Sequence, residues 1–161
     1  MTDTGFTTAI DDRYFEDYAP GSVHEFGSLR VEQDEVIAFA QKYDPQSFHV
    51  DPDKAKESIF GGLIASGWQT GGMMMRMYAD HYLSHVASLA SPGLDELRWP
   101  APVRPGDELS LRVTVEAARR SKSKPDRGIV HSLIEVLNQN RDVVMSMKVM
   151  NMLLCRGPEV T

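Results

Sequence analysis

The chain has 161 residues, 42% of them hydrophobic and 25% charged, with a formal net charge of −6 at pH 7, a composition that suits one globular domain with one core. The negative balance argues against general nucleic-acid binding, which needs clustered Lys and Arg against phosphates, and no run of about 18 apolar residues marks a membrane span. The opening MTDTGFTTAIDDRYFEDYAP carries acids where a secretory signal would be basic and then apolar, and the single Cys155 cannot close an internal disulfide; the expected setting is the cytoplasm.

The first strong periodic signal is VEQDEVIAFAQKY. Val36, Phe39, Ala40 and Tyr43 recur at spacings of three and four behind the acids Glu32, Asp34 and Glu35, which predicts a short amphipathic helix. Pro45 disfavours helical geometry at Asp44 and should stop the helix there. Asp51-Pro52 is an N-cap followed by a first-turn proline, predicting a second helix to about Ser58. The residues from Asp44 to Phe48 are then a tight connection between two helices.

After the glycine pair of FGGLIAS, Ser66 is placed to cap GWQTGGMMMRMYADHYLSHV, a predicted helix of about 20 residues, some 30 Å long. Met73, Met74, Met75, Met77 and Tyr78 leave it little polar face, so the pattern predicts a helix enclosed on most sides. Gly71 and Gly72 each cost roughly 1 kcal/mol relative to alanine, which points to another backbone passing close by.

Downstream the period changes to two. DELSLRVTVEA alternates Leu109, Leu111, Val113 and Val115 with polar residues, and GIVHSLIEVL and VVMSMKVMNMLL follow, separated by the turn-rich NQNRD. Three long strands in meander order make an antiparallel sheet whose apolar face needs a cover. The 20-residue helix is the available cover, and the predicted fold class is α+β, a long antiparallel sheet curled around one central helix. No repeat or linker divides the chain, so residues 1–161 are expected to form one domain.

Several constellations could carry chemistry. In D-P-Q-S-F-H, Asp44 and His49 stand at opposite ends of a turn and could hold one water as base and acid. At Ser66-Gly67 a helix start offers free backbone N–H groups, with no side chain at Gly67 to block a developing oxyanion. His81 with His85, and His49 with Asp51, have partial metal-ligand spacing but lack third and fourth ligands, so no metal is expected. Charge is also uneven: residues 1–60 hold thirteen acids against five Lys or Arg, while residues 98–127 hold eight Lys or Arg against four acids. A basic segment in an acidic chain suits a small anionic ligand, or is simply a solvated surface.

Three blocks in order, FAQKYDPQSFHVDP, IFGGLIASGWQT and LRWPAPVRPGDELSLRVTV, resemble the MaoC-like dehydratase family, which includes (R)-specific enoyl-CoA hydratases. The resemblance runs from about Phe15 to Leu154. It implies a hot-dog fold assembled as a homodimer, or a higher homo-oligomer, with active sites at the subunit interface. It also implies reversible hydration of a 2-enoyl-CoA by a water held on Asp44 and His49, the thioester carbonyl being polarised by the Gly67 N–H. Gln46 and Ser47 stand where many members have Asn and Pro, and Ser66 where many have His, which makes Gln46 and Ser66 candidate substrate contacts. Arg104, Arg119, Arg120, Lys122 and Lys124 become candidates for the phosphates of coenzyme A, which is part of the substrate; no separate cofactor is expected. Because one fold serves several reactions, an acyl-CoA thioesterase and a non-catalytic acyl-thioester binding subunit stand beside this reading.

Overall fold

A computed structural model describes residues 5–158. Two short 3-10 turns, Ile10–Asp12 and Phe15–Asp17, precede strand β1 (Val23–Arg30). Helices α1 (Gln33–Tyr43), α2 (Ser47–Val50), α3 (Pro52–Glu57) and α4 (Gly67–His81) follow, and then strands β2 (Ser88–Arg98), β3 (Glu108–Arg120), β4 (Arg127–Leu137) and β5 (Val143–Leu154). The strands form one antiparallel sheet in the order β1-β3-β4-β5-β2, and α4 lies against its inner face, touching β1, β3 and β5. This is the α+β arrangement that the two periods predict.

The meander β3-β4-β5 follows its sequence pattern closely. Leu109, Leu111, Val113 and Val115 are fully buried because a period-two strand puts alternate side chains on one face. Met73, Met74, Met77 and Tyr78 of α4 complete that core. The two edge strands carry no such signal. β2, SLASPGLDELR, is mostly exposed, contains Pro92 and Gly93, and pairs with β5 through three irregularities. β1 breaks register between Phe26 and Leu29. There Gly27 takes φ +83° and gives room to Met77, whose Sδ would lie 2.7 Å from a Cβ at that position.

Three helical expectations need correction. α4 spans 15 residues rather than about 20, because its final carbonyls find partners far away in sequence. Arg13 donates to the carbonyls of His81 (3.0 Å) and Tyr82 (2.9 Å), and the Tyr18 hydroxyl donates to Tyr82 O at 2.8 Å. The Ser84 N–H turns to the Tyr18 hydroxyl. Nor is α4 enclosed on most sides within this chain: Trp68 is 65% exposed and Met75 44%. At Gly71 and Gly72 a Cβ would meet nothing within 4 Å, so no backbone passes there; the close approach is at Gly67. Finally, the connection after Asp44 contains an additional helical turn, α2.

Candidate active site

Local rules put Asp44 in place. α1 ends where Pro45 dictates, with Asp44 as C-cap at φ −152°, ψ 67° and its N–H on the Ala40 carbonyl at 2.9 Å. The α2 turn then carries His49 into the interior, 5% exposed. Asp51 caps α3, accepting from the N–H groups of Asp53 (3.0 Å) and Lys54 (3.1 Å), so it has a structural task. The segment after α3 turns back along this unit: the Ile64 N–H donates to Phe48 O (3.1 Å) and the Ala65 N–H to Val103 O (2.8 Å). This brings the start of α4 to Asp44 and His49.

The result is a pair with a fixed ring orientation. His49 Nδ1 lies 2.7 Å from the Ile64 carbonyl. Because a carbonyl only accepts, that nitrogen carries a proton, and Nε2 is the ring nitrogen turned toward Asp44. His49 Nε2 lies 3.2 Å from Asp44 Oδ2. The Ser66 hydroxyl donates to that same oxygen at 2.8 Å, and the Gln46 side-chain amide donates to Oδ1 at 2.7 Å. Asp44 is held below its ordinary carboxylate value of 3.8, first by the Gln46 hydrogen bond, then by Ser66 and the neighbouring His49, against an opposing desolvation. The carboxylate stays ionised and the imidazole beside it stays oriented.

A cavity of about 440 Å³ opens over this pair, lined by Asp44, His49, Ile64, Gly67, Trp99 and Val103 among others. Gly67 is the first residue of α4, where backbone N–H groups lack helical acceptors and attract negative charge. Trp99 lies across Gly67: a Cβ there would come within 2.5 Å of the indole, whose Nε1 donates to the Gly67 carbonyl at 3.1 Å. Glycine is the residue that lets this ring pack against the helix start. Asp44, His49 and Gly67 are thus gathered on one cavity.

The other sequence-based candidates are placed differently. Ser66 is fully buried beneath Asp44 and also accepts from the Trp68 N–H at 3.3 Å; it holds the carboxylate and caps α4 rather than facing a ligand. Gln46 likewise reaches Asp44 and does not line the cavity. Arg104 stands beside the cavity, donating to the Phe60 carbonyl at 2.6 Å. Arg119, Arg120, Lys122 and Lys124 lie at or beyond the far end of β3, a strand about 40 Å long that begins shortly after Val103 of the cavity wall. Within one chain they are not brought to the dyad. Arg120 instead donates to Cys155 Sγ (3.2 Å) and pairs with Glu16 (3.5 Å). His85 binds Asp11 at 2.9 Å, and among the described residues no group of three or more His, Cys, Asp or Glu side chains is placed to hold a metal ion. Sequence reasoning missed Trp99 and the Ile64 carbonyl. WPAPV, a tryptophan before two prolines, signals a loop but not its neighbour; a backbone carbonyl leaves no signal.

The profile described as a MaoC-like domain matches residues 16–136, so the chain belongs to the MaoC-like dehydratase family. It is 31% identical over 124 residues to the uncharacterised protein YdeM of Bacillus subtilis, covering 77% of this chain and 86% of that one. It is 37% identical over 83 residues to the 3-hydroxyacyl-thioester dehydratase Z of Mycobacterium tuberculosis, covering 50% and 55%. Among solved structures, a MaoC-like dehydratase from Rhodospirillum rubrum superposes with a TM-score of 0.83 at 40% identity, covering 90% of this chain and 99% of that one. A Mycobacterium tuberculosis protein with a double hotdog fold superposes with a TM-score of 0.78 at 17% identity, covering 96% and 47%. The fold is a hot-dog. No helix among the described residues is long and apolar enough to cross a membrane.

Proposed function

We propose that this member of the MaoC-like dehydratase family adds water reversibly across the double bond of a 2-enoyl-CoA. The observation that carries the reading is the Asp44–His49 contact at 3.2 Å on the cavity that the Gly67 helix start also lines. Water held between the Asp44 carboxylate and His49 Nε2 adds its oxygen to the β-carbon while Nε2 takes its proton. The imidazolium so formed, flanked by the carboxylate and the Ile64 carbonyl, gives that proton to the α-carbon. One water is consumed, both of its hydrogens end on the product, and the dyad returns to its starting state. Between these steps negative charge resides on the thioester oxygen, where the Gly67 N–H and the positive end of α4 stabilise it. The chain acts as a homodimer or higher homo-oligomer in this reading, which would cover the exposed flank of α4.

Loss of enoyl absorbance on crotonyl-CoA and longer 2-enoyl-CoAs tests the assignment. Asp44→Asn keeps the shape and removes the charge, and is expected to lower kcat by about 10²–10⁴, the usual worth of positioned acid–base catalysis. Equal rates in wild type and variant across the series would sink it. Thiol release from saturated acyl-CoAs would select a thioesterase, and acyl-CoA binding without turnover a binding subunit.

A further inference from the structure

Behind Trp99 lies a second cavity of about 490 Å³ that the chemistry above does not use. It is bounded by α4 and by β2, β4 and β5, and its lining is mostly apolar, with Met74, Met75, Leu83, Leu94, Met147 and Val149 among it. Of its polar members, Tyr78 and Asn151 are engaged with each other, the Tyr78 hydroxyl donating to Asn151 Oδ1 at 2.7 Å, and the Ser91 hydroxyl donates to the Gly93 carbonyl at 3.0 Å; Ser88 is the fourth. Such a lining suits an unbranched hydrocarbon.

Gly67, Trp68 and Trp99 belong to the walls of both cavities. The Trp99 ring is fixed by its hydrogen bond to the Gly67 carbonyl and by an edge-on contact with Trp68, with ring centroids 5.4 Å apart at 77°. The partition is thus an indole held at two points, directly beside the group assigned to the thioester oxygen.

We propose that Trp99 is the residue that sets acyl-chain length: it closes the dyad cavity against the apolar cavity behind it, so that short acyl groups fit and longer ones are turned away. The inference rests on the hydratase reading for its substrate, but the wall itself can be tested without turnover. Removing the indole joins the two spaces. Each methylene that then leaves water for the apolar cavity favours the longer substrate about fourfold, the equivalent of about 0.8 kcal/mol.

The test compares the dodecenoyl-to-crotonyl ratio of kcat/KM within each protein, so a change in absolute rate does not enter. The ratio should rise at least tenfold in Trp99→Ala. Adding Gly71→Leu should reverse it, because Gly71 lines the rear cavity and a Cβ there meets open space, while leucine is the better helix former. An unchanged ratio in Trp99→Ala, or no response to Gly71→Leu, overturns the proposal. If wild type hydrates no enoyl-CoA, the hydratase reading fails by itself. The wall is then judged by calorimetric binding of dodecanoyl-CoA against butyryl-CoA, where the same preference should appear on removing Trp99 and its absence refutes the wall. A change of oligomeric state in Gly71→Leu on sedimentation, with the length preference unmoved, assigns the rear cavity to a second copy of the chain and refutes the proposal.

Discussion

Replacing Ser66 by alanine should loosen the fold and release the Asp44 carboxylate together, because one buried hydroxyl does two things. It accepts from the Trp68 N–H as the cap of α4 and donates to Asp44 Oδ2. Losing an N-cap costs about 1 kcal/mol, and losing a hydrogen bond to a charged group costs about 1.5–3 kcal/mol. The carboxylate keeps Gln46 and His49 as partners, so the total should fall near 2–3 kcal/mol at neutral pH. For a chain of this size that lowers Tm by roughly 5–10 °C. The ionic share has a defined pH dependence. The folded-state pKa of Asp44 is depressed below 3.8, so its stabilisation is present above the unfolded value of about 3.9 and is lost as pH falls through the lower folded value. Urea unfolding of wild type and Ser66→Ala should therefore show the full difference at pH 7. In acid, once Asp44 is protonated, the difference should narrow toward the cap's share of about 1 kcal/mol. The double variant with Asp44→Asn should show a coupling of about 1–2 kcal/mol between the two positions. A loss below about 0.5 kcal/mol at pH 7, or a difference that is constant with pH, would refute the dual role.

Two further outcomes follow from the same geometry. Gln46→Ala removes the largest cause of the lowered Asp44 pKa; the acid limb of the kcat/KM profile should move to higher pH, and Gln46→Glu should move it further by adding a like charge. Gly67→Ala places a Cβ within 2.5 Å of the Trp99 indole and should displace the ring, seen as a shift in tryptophan emission. The distorted corner should lose about 10²-fold in kcat/KM, as misplacement by about 1 Å commonly does. Overpacking costs about 1–3 kcal/mol, offset in part by the helix preference of alanine, and the stability loss should largely disappear in a Trp99→Ala background.

What the sequence determined by itself lies within a few residues of each signal. The alternation of DELSLRVTV defined a strand whose Leu109, Leu111, Val113 and Val115 are fully buried. Pro45 ended α1 at Asp44 because the pyrrolidine ring acts on the preceding residue, and Asp51-Pro52 started α3 through a cap two and three residues away. Asp44, His49 and Gly67 were legible as a candidate site only because three short blocks occur together in the order of a known family. The tertiary structure decided what depends on distant partners. α4 stops at His81 because Arg13, 68 residues earlier, takes its carbonyl. The His49 ring is oriented by Ile64 O, 15 residues on, Asp44 is gripped by Ser66, 22 residues on, and Gly67 is covered by Trp99, 32 residues on. Edge strands β1 and β2 have one strand neighbour each; β2 has little buried face, and β1 buries a histidine, a phenylalanine and a glycine rather than an aliphatic row, so neither period marks them. Periodicity, proline and capping act through the covalent neighbourhood and can be read along the chain; an oriented imidazole, a gripped carboxylate or a wall between cavities exists only once remote segments meet.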